Sequence, residues 1–531
     1  MQTIEMETYD FPTMRRKNRI YVDKTGQFHE LITGNTSLHF VARPRRFGKS
    51  LMISTLDCIF RGRKDLFEGL AISQTDYDWP VHPVIRFDFS AITTSSLEEF
   101  SLAFASRVSM VLENAGATVD PALDPGTNFG RAIRELYEKS GHGVVVLVDE
   151  YDAPIGHTLD EPELAEAIRK KMKDFYTTLK AEVDKIRFLM MTGVSKFSQV
   201  SIFSALNNIT DLTLDARAAT LLGYTDDELE HYFHDAMAAH AQLMGLDYEA
   251  YRAQLRFWYN GYHFSPDRLD PQFAVYNPFA IARTLGNPAP YFKATWSSTG
   301  RPSMLMNYLS REQLVKQDYE HLTGVTEDLM AATNLNNLSG LALLFQSGYL
   351  TIKDYTPDDG YTLAIPDEEV RRDLLALLVQ TIAQRPASDL WFSQTLNTLT
   401  TRNFPEFFAN LKVLYSDLPY GSTEQESVPE SAYLRLLYLL LRSRFSTLEV
   451  CFERQQAGAR PDLVLIHRRS IFIFELKVNR DGKSDAAAAL AQIRERGYAE
   501  PFRGHGRPLY AIGLAFDPKS HRLVDTAAAE L

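Results

Sequence analysis

The sequence predicts an α/β protein with two α/β units in one chain, the first built on a doubly wound parallel sheet. Three observations predict this class. The stretch FVARPRRFGKSLMIS passes from an apolar strand through a turn into a helix. The run GVVVLVDEYD is apolar almost throughout, as is typical of a parallel strand buried on both faces. Close to the C-terminus, the strands RPDLVLIH and IFIFELKVN stand between two helical stretches and carry acidic residues.

Length and composition limit the number of domains and the kinds of binding site to expect. A chain of 531 residues is long for one core, so we expect roughly two to four domains. The net charge of −12 gives no overall basic field for nucleic acid, and any site for a polyanion must therefore be local, as at Arg43, Arg45 and Arg46. The two cysteines, Cys58 and Cys451, lie far apart in apolar segments, which favours buried thiols over a metal site or a disulfide framework.

The chain shows no sequence signal for a membrane. The N-terminal MQTIEMETYDF is acidic and lacks the apolar core of a signal peptide. The most apolar helix, LRLLYLLLRSRF, is short for a membrane span and contains arginines. We therefore expect a cytoplasmic protein without a membrane partner.

The turn before Lys49 has the chemistry of a phosphate-binding loop. Backbone N–H groups at a helix N-terminus surround phosphates, the Lys49 ammonium reaches the terminal ones, and the Ser50 hydroxyl ligates Mg²⁺. The usual pattern has a glycine at the place of Arg43, so a basic turn that caps an ordinary helix is the alternative. The nucleotide-binding candidates in the loop are Arg43, Pro44, Arg45, Arg46, Phe47, Gly48, Lys49 and Ser50.

Paired acids end the apolar strand about a hundred residues after the loop. Ligands of open α/β sheets bind at this edge, and we expect Asp149 to hold Mg²⁺ and Glu150 to polarise the attacking water. Two solvated carboxylates are the alternative. On the strand IRFLMMTG, Thr192 is a candidate contact for the γ-phosphate, as is Ser195 just beyond, unless either hydroxyl only caps a helix. The order of elements predicts an ATPase sheet, with one strand inserted between the loop strand and the acid strand.

The rest of the chain divides into further segments. We expect an ATPase core over 1–215 and a helical lid over 216–335. Residues 336–385 read as helix, hairpin and helix, which fits a winged-helix-like module or a packing module without DNA contacts. A helical connector over 386–425 leads to the second α/β unit, 426–531. Arg217 and Arg301 are candidates for an arginine that acts on a neighbouring nucleotide site.

The C-terminal unit has a second candidate site. Glu475 and Lys477 are two apart on a strand and so share one face. Asp462, on the preceding strand, can come level with Glu475, and two adjacent carboxylates suit Mg²⁺ or Mn²⁺. Glu430 is a candidate third carboxylate, and Gln492 a candidate for positioning water. This is equipment for phosphodiester hydrolysis; a cross-strand ion pair on a solvated face is the alternative.

Both halves resemble a bacterial family with an N-terminal AAA-ATPase-like domain and a C-terminal PD-(D/E)XK nuclease domain, the latter of restriction-endonuclease-like fold. The stretches that carry the resemblance are YVDKT, FVARPRRFGKSL, VVVLVDEYD, LMMTGVSKFS, WYNGYHFS, VYNP, WSSTG, FQSGYLTI, IPDEEVR and RPDLVL, FELK and ALAQIRERGYAEPF. In this family an arginine at the position of Arg43 is usual. One departure is Asp367, where the family often has asparagine.

The resemblance also implies roles for single residues. It implies nucleotide binding by Lys49 and Ser50, with Asp149 and Glu150 as the metal-binding and hydrolytic acids. The nuclease residues that it implies are Asp462, Glu475, Lys477 and Gln492.

The sequence therefore predicts an ATP-regulated, metal-dependent nuclease that acts on DNA. One alternative is an ATP-dependent switch or scaffold whose nuclease-like domain binds nucleic acid or a partner without cleaving it. Another is that the nucleotide site is purely structural. AAA-type ATPases often use an arginine from a neighbouring subunit, so the resemblance allows a homo-oligomer.

Overall fold

The structure, a computed structural model, describes most of the chain. The described residues are 3–4, 8–92, 95–196, 208–294, 296, 319–331, 340–383, 389–416, 430–445, 450–452, 461–478, 485–518, 520 and 522–531. They form two compact units, the first ending at Asp367 and the second running from Glu368 to Leu531. Each unit is described separately below.

The first unit contains ten strands and twelve helices among its described residues. Its strands are β1 (Leu38–Ala42), β2 (Val84–Asp88), β3 (Val144–Asp149), β4 (Ile186–Gly193), β5 (Thr210–Asp211), β6 (Asn260–Tyr262), β7 (Val275–Tyr276), β8 (Leu322–Val325), β9 (Thr351–Thr356) and β10 (Gly360–Ala364). Its helices are α1 (Phe11–Arg16), α2 (Thr25–Thr33), α3 (Lys49–Phe60), α4 (Leu97–Asn114), α5 (Pro125–Ser140), α6 (Ala153–Gly156), α7 (Pro162–Ala181), α8 (Asp226–Met244), α9 (Tyr248–Tyr259), α10 (Pro278–Leu285), α11 (Glu327–Ala331) and α12 (Gly340–Gln346).

A five-stranded parallel sheet forms the core of the first unit. Its order is β2-β3-β4-β1-β5, so β4 lies between β1 and β3, as the predicted ATPase sheet requires. Every residue of β1 and β3 is buried, because such strands are covered on both faces. The register pairs Val41 with Thr192 and Val148 with Met191. The ends of β1, β3 and β4 therefore meet at one edge.

The middle of the chain is less purely helical than the sequence predicts. Helix α8 starts with a capping box formed by Thr225 and Glu228 and packs with α9 and α10 in one apolar cluster. The aromatic clusters predicted as turns contain a two-stranded antiparallel pair, β6 and β7. In the segment 340–364, helix α12 and the hairpin β9–β10 lie as predicted, and β8 adds a third strand. The boundary after Asp367 separates this hairpin from the next helix, and the predicted domain limits stay predictions.

The second unit is built on a mixed five-stranded sheet. Its helices are α13 (Glu368–Ala383), α14 (Asp389–Thr400), α15 (Phe404–Ser416), α16 (Glu430–Arg444) and α17 (Ala486–Glu495). Its strands are β11 (Val450–Phe452), β12 (Leu463–His467), β13 (Ser470–Val478), β14 (Leu509–Phe516) and β15 (Leu523–Glu530), in that spatial order. Only β13 and β14 pair in parallel.

The sequence did not indicate the last strand, β15. The segment LVDTAAAE has no alternating apolar pattern, yet it pairs antiparallel with β14 from Phe516 to Tyr510. Pairing with β14 makes this segment a strand, although its own residues favour a strand only weakly. No helix in the described part of the chain is long and apolar enough to cross a membrane.

Candidate active sites

The loop after β1 turns sharply into helix α3. Gly48 is the N-cap residue, with φ 92° and ψ 15° in the left-handed region that favours glycine. Lys49 is buried, and its ammonium donates to the backbone oxygens of Arg43 (2.8 Å) and Pro44 (2.9 Å). Burial lowers the pKa of Lys49, an effect opposed by Glu150 and other nearby acids. The lysine is thus held inside the turn, beside the helix N-terminus where phosphates bind.

Arg43 has a structural environment that its sequence position did not indicate. Its guanidinium donates to the backbone oxygens of Ala42 (2.9 Å), Thr213 (2.7 Å) and Ala218 (2.9 Å). It also lies 4.2 Å from the centre of the Phe264 ring. Burial lowers the pKa of Arg43 to about 9, so the side chain is charged at neutral pH. These contacts hold the Arg43 side chain against the segment 213–218, while its backbone forms part of the loop.

The neighbouring loop residues contact residues of the segment predicted as a lid. The Arg46 guanidinium lies 3.7 Å from the centre of the Phe279 ring of α10, a cation–π contact. Phe47 is buried against the rings of Tyr262 (4.8 Å) and Phe264 (5.2 Å). Ser50 and Arg45 are partly exposed at the same turn. Aromatic side chains from the segment 262–279 thus pack against the loop.

The acids of β3 lie at the same sheet edge. Asp149 is buried and accepts a 2.7 Å hydrogen bond from the Thr192 hydroxyl of β4. Glu150 follows with φ 50°, a left-handed conformation that costs free energy for a residue with a side chain. Burial raises the pKa of Glu150, and the charge of Lys49 opposes that rise. The predicted loop lysine and acid are thus electrostatically coupled.

Sequence reasoning missed the part played by Asp152. Its buried carboxylate accepts from the backbone N–H (2.7 Å) and the hydroxyl (2.6 Å) of Ser195. The hydroxyl of Tyr151 donates to Ser195 O (2.8 Å). A Cβ on Gly193 would lie 2.5 Å from the Tyr151 ring, so this position requires glycine. These contacts join the segment after β3 to the end of β4. The only sequence signal was the acidic run DEYD.

This sheet edge has the groups that Mg²⁺ and a nucleotide require. A left-handed turn, a buried ammonium, a hydroxyl and two acids lie where β1, β3 and β4 end. Hard oxygen ligands such as those of Ser50 and Asp149 suit Mg²⁺. Arg217, a candidate for a trans-acting arginine, forms a 2.6 Å ion pair with Asp215.

The second candidate site lies at the end of β13. The register pairs Leu463 with Phe474, so Asp462 stands level with Glu475, as predicted. Asp462 Oδ2 accepts from the Leu476 N–H (2.6 Å), which fixes this carboxylate next to β13. Glu475 is 2% exposed. A carboxylate so deeply buried requires partners.

Lys477 and Gln492 supply those partners. The Lys477 ammonium lies 2.8 Å from Glu475 Oε1, and the Gln492 amide donates to the same oxygen. Gln492 also donates to the hydroxyl of Tyr498 (3.2 Å). A Cβ on Gly513, opposite Glu475 on β14, would lie 2.3 Å from the backbone oxygen of Ala486. This close approach brings α17, and with it Gln492, onto the sheet.

Two carboxylates level with one another on adjacent strands suit a divalent cation bound by hard oxygens. Glu430 is the first residue of α16, but its side chain lies outside the described residues. Among the described residues, no group of three or more histidine, cysteine, aspartate or glutamate side chains could hold a metal. Asp462 and Glu475 are the candidate ligands whose side chains the structure describes here. Arg301 and all of the WSSTG stretch except Trp296 also lie outside the described residues.

Two family models match separate parts of the chain. Residues 5–203 match the family described as "Predicted AAA-ATPase". Residues 428–526 match the "PD-(D/E)XK nuclease superfamily". The first match contains the loop and the acids of β3, and the second contains Asp462, Glu475 and Gln492.

The chain is also similar to an "uncharacterized protein in vnfD 5′ region" of Azotobacter chroococcum mcd 1. The two are 32% identical over 513 residues, which cover 95% of this chain and 94% of the relative. Among solved structures, the Orc1 protein of Aeropyrum pernix in complex with DNA matches at 12% identity, a TM-score of 0.24, and 69% and 94% coverage of this chain and of that one. Cdc6p of Pyrobaculum aerophilum matches at 12% identity and a TM-score of 0.20, with 67% and 92% coverage.

Proposed function

Because this chain belongs to the family that joins a predicted AAA-ATPase domain to a C-terminal PD-(D/E)XK nuclease domain, we propose that it is an ATP-regulated nuclease. ATP would be bound and hydrolysed in the first unit. Phosphodiester bonds, in DNA, would be hydrolysed in the second. The observation that carries the proposal is the buried Glu475, held by Lys477 and Gln492 and level with Asp462.

The first site supports nucleotide hydrolysis. Lys49, at the start of α3, donates to two loop oxygens, and on ATP binding it would donate to the terminal phosphates instead. Mg²⁺, when bound, neutralises charge on these phosphates. Thr192 fixes the orientation of Asp149, a candidate metal ligand. Burial favours the protonated form of Glu150, and the Lys49 charge favours the carboxylate that polarises water.

The second site supports metal-assisted hydrolysis. A divalent cation there would supply Lewis-acid stabilisation of the charge that develops on the scissile phosphate. Asp462 and Glu475 are the candidate ligands. Gln492 and Lys477 fix the rotamer of Glu475, and the Lys477 ammonium, only partly exposed, can stabilise negative charge beside it.

Strand β6 contacts both the phosphate-binding loop and the segment 319–367, called the 319–367 module below. These contacts support the regulation of the second unit by ATP. Tyr262 packs on Phe47, and its hydroxyl donates to Gly348 O (2.8 Å). Gly348, at φ 86°, lies so close to Pro44 that a Cβ would come within 2.7 Å of the Pro44 Cβ. A shift of the loop would therefore move this part of the module.

The same strand reaches the last residues of the first unit. A Cβ on Gly261, which has φ 140°, would lie 2.1 Å from the backbone oxygen of Pro366. The Lys353 ammonium donates to Gly261 O (3.1 Å) and Pro366 O (3.4 Å). The chain enters the second unit directly after Asp367. A path of direct contacts thus runs from the loop to the residue pair that precedes the nuclease unit.

The test is cleavage of plasmid and oligonucleotide DNA with Mg²⁺ or Mn²⁺, with and without ATP. We expect Asp462→Ala and Lys477→Ala to abolish cleavage while ATP hydrolysis continues, and Lys49→Ala to abolish ATP binding and the effect of ATP on cleavage. Undiminished cleavage by the Asp462 and Lys477 variants would remove the nuclease assignment.

Two other outcomes would favour the alternatives. Tight ATP binding with no cleavage under any metal condition would favour the switch or scaffold function. Unchanged cleavage by a folded Lys49→Ala variant would favour a structural nucleotide site.

A further inference from the structure

One end of the sheet in the second unit carries a cluster of basic side chains. The turn between β12 and β13 contains His467, Arg468 and Arg469, and Arg507 comes just before β14. Nη1 of Arg507 donates to the backbone oxygen of His467 (3.3 Å), so the two segments are in contact. These four residues are called the basic end below. It lies at the start of β13, whereas Glu475 lies near the other end of that strand, and the proposed mechanism assigns it no role.

No acid in the described part of the chain forms an ion pair with the arginines of the basic end. Arg468 and Arg469 are exposed, and Arg507 is partly exposed. Burial and then the charges of the three arginines lower the pKa of His467, and no acid opposes this shift. Glu530, at the same end of the sheet, is on β15, two strands away from β13. Cations held so close together repel one another, and an anion that binds among them relieves this repulsion.

Helix α17 runs from the candidate metal site to the basic end. Near its start, Ala486 approaches Gly513, which the register pairs with Glu475. Beyond its end, Phe502 belongs to one apolar cluster with Ile471, at the start of β13. A ligand that lies along this helix would therefore reach both places.

Arg496 adds a cation between the two places. It follows Gln492 by four residues, so both lie on the same side of α17. The bond from Gln492 to Glu475 shows that this side faces the candidate metal site. Arg496 is exposed and forms no ion pair with an acid among the described residues.

The spacing of these cations fits an extended polyanion better than a small anion. Arg469 precedes Glu475 by six residues, which corresponds to roughly 20 Å at about 3.3 Å per residue of strand. Double-stranded DNA covers this length with roughly six base pairs, since each strand has a phosphate about every 3.4 Å along the axis. Guanidinium groups such as those of Arg468 and Arg469 match the geometry of phosphate oxygens.

We propose that the basic end binds the phosphate backbone of double-stranded DNA, and that the same duplex extends along α17 to Asp462 and Glu475. This deepens the proposed nuclease function and rests on it for the contact at the two acids. Arg468 and Arg469 would hold phosphates about six base pairs from the bond to be cut. Contacts with phosphates position DNA without selecting its sequence.

Fluorescence anisotropy with a labelled duplex tests the basic end without any cleavage. The full chain is titrated, without divalent metal, into a duplex of about 20 base pairs, longer than the roughly six that separate the two contacts. We expect Arg468→Gln/Arg469→Gln to weaken binding at least about tenfold at low salt. The slope of log K against log salt concentration should fall by about 1.8, since each phosphate contact contributes about 0.9.

Two further double variants separate phosphate contacts from net charge and from misfolding. Arg468→Lys/Arg469→Lys keeps both charges and should retain most of the slope, with the Tm of the parent. Lys170→Gln/Lys171→Gln removes two adjacent exposed cations from α7 and should bind as the parent does. Equal weakening by the two glutamine variants would show that only net charge matters and would overturn the proposal.

Other outcomes separate the basic end from the nuclease assignment. Binding that depends on Arg468 and Arg469, with no cleavage under any metal condition, would support the basic end and remove the nuclease. Cleavage by a parent whose slope the arginine variant shares would remove the basic end alone. Binding of poly-glutamate and not of DNA would assign the surface to an acidic protein and overturn the proposal.

Discussion

The Thr192 hydroxyl donates a 2.7 Å hydrogen bond to Oδ1 of Asp149, and both residues are buried where β4 and β3 end side by side. The bond fixes one carboxylate oxygen of Asp149, so the other has a defined direction. A candidate metal ligand is thus oriented by a residue on the neighbouring strand. Such support of a ligand by a second residue commonly governs how well a site works.

We expect Thr192→Val to lower the kcat of ATP hydrolysis with little change in ATP affinity. A hydrogen bond to a charged group contributes about 1.5–3 kcal/mol, which corresponds to a fall of roughly tenfold or more. Steady-state ATPase assays and nucleotide titration measure the two quantities. Thr192→Ser keeps the hydroxyl and should retain most activity; equal loss in both variants would contradict the role of this bond.

The sequence predicted much of this sheet edge because the carboxyl ends of parallel strands meet at one edge. Asp149, Thr192 and Lys49 each follow an apolar strand, and their proximity could therefore be expected. The contacts of Arg43 could not be expected, because its partners Thr213 and Ala218 lie 170 and 175 residues later in the chain. No local pattern marks backbone oxygens as the partners of an arginine.

We expect Gly261→Ala to destabilise the first unit. The new Cβ would meet the Pro366 oxygen at 2.1 Å, and φ 140° is strained for alanine, so the free energy of unfolding should fall by more than about 1 kcal/mol. Denaturant unfolding measures this change. In the control Gly156→Ala the new Cβ has no neighbour within 4 Å, and it should leave the midpoint nearly unchanged. Equal midpoints for Gly261→Ala and the parent would contradict the close approach.

Lys353→Met tests the role of this approach in regulation more gently. It removes the two hydrogen bonds to Gly261 O and Pro366 O without forcing the backbone apart. We expect ATP to alter DNA cleavage at least about twofold less than in the parent, a change of about 0.4 kcal/mol in coupling. Cleavage without ATP and ATP hydrolysis should not change. Lys64→Met, at an exposed position, is the matched control, and an unchanged ATP effect in Lys353→Met would exclude this path.

We expect Asp462→Asn to weaken Mn²⁺ binding to the second unit by about tenfold or more, the equivalent of 1.4 kcal/mol. The asparagine oxygen can still accept from the Leu476 N–H, so the fold should persist while one ligand charge is lost. Calorimetric titration with Mn²⁺ checks this without any cleavage assay. Glu495→Gln, at an exposed position of α17, should bind normally. Parent protein that binds no Mn²⁺ would favour the switch or scaffold function.

In the second unit the sequence predicted on which strand or helix each candidate residue lies, but it did not predict their hydrogen-bond partners. Residues two apart on a strand point to the same face, so Glu475 and Lys477 could be predicted to lie side by side. That Gln492 would bond to Glu475 depends on how closely α17 approaches β14, and this is set by the missing side chain of Gly513. Strand β15 escaped prediction because its residues resemble those of a helix, and only β14 makes them a strand.

The stability of the first unit should depend on pH through His263. Burial and the charge of Lys353 lower the pKa of His263 to about 4 from an ordinary value of 6.5, although backbone groups of Asp270 and Gly261 oppose the shift. Between pH 6.5 and 4 the unfolded chain binds a proton here and the folded chain does not. This contribution to stability is therefore complete above pH 6.5 and is lost as the pH falls towards 4.

His263→Phe removes the titrating group, and the difference between its pH profile and that of the parent isolates this histidine from the others. We expect the parent to lose up to about 3 kcal/mol more than the variant between pH 6.5 and 4, from about 1.4 kcal/mol per pKa unit. Denaturant unfolding in phosphate-free buffer measures both profiles. Phenylalanine keeps a ring of similar size at this buried position and adds no proton site. Parallel profiles over this range would show that the imidazole titrates normally and is therefore not buried as the structure has it.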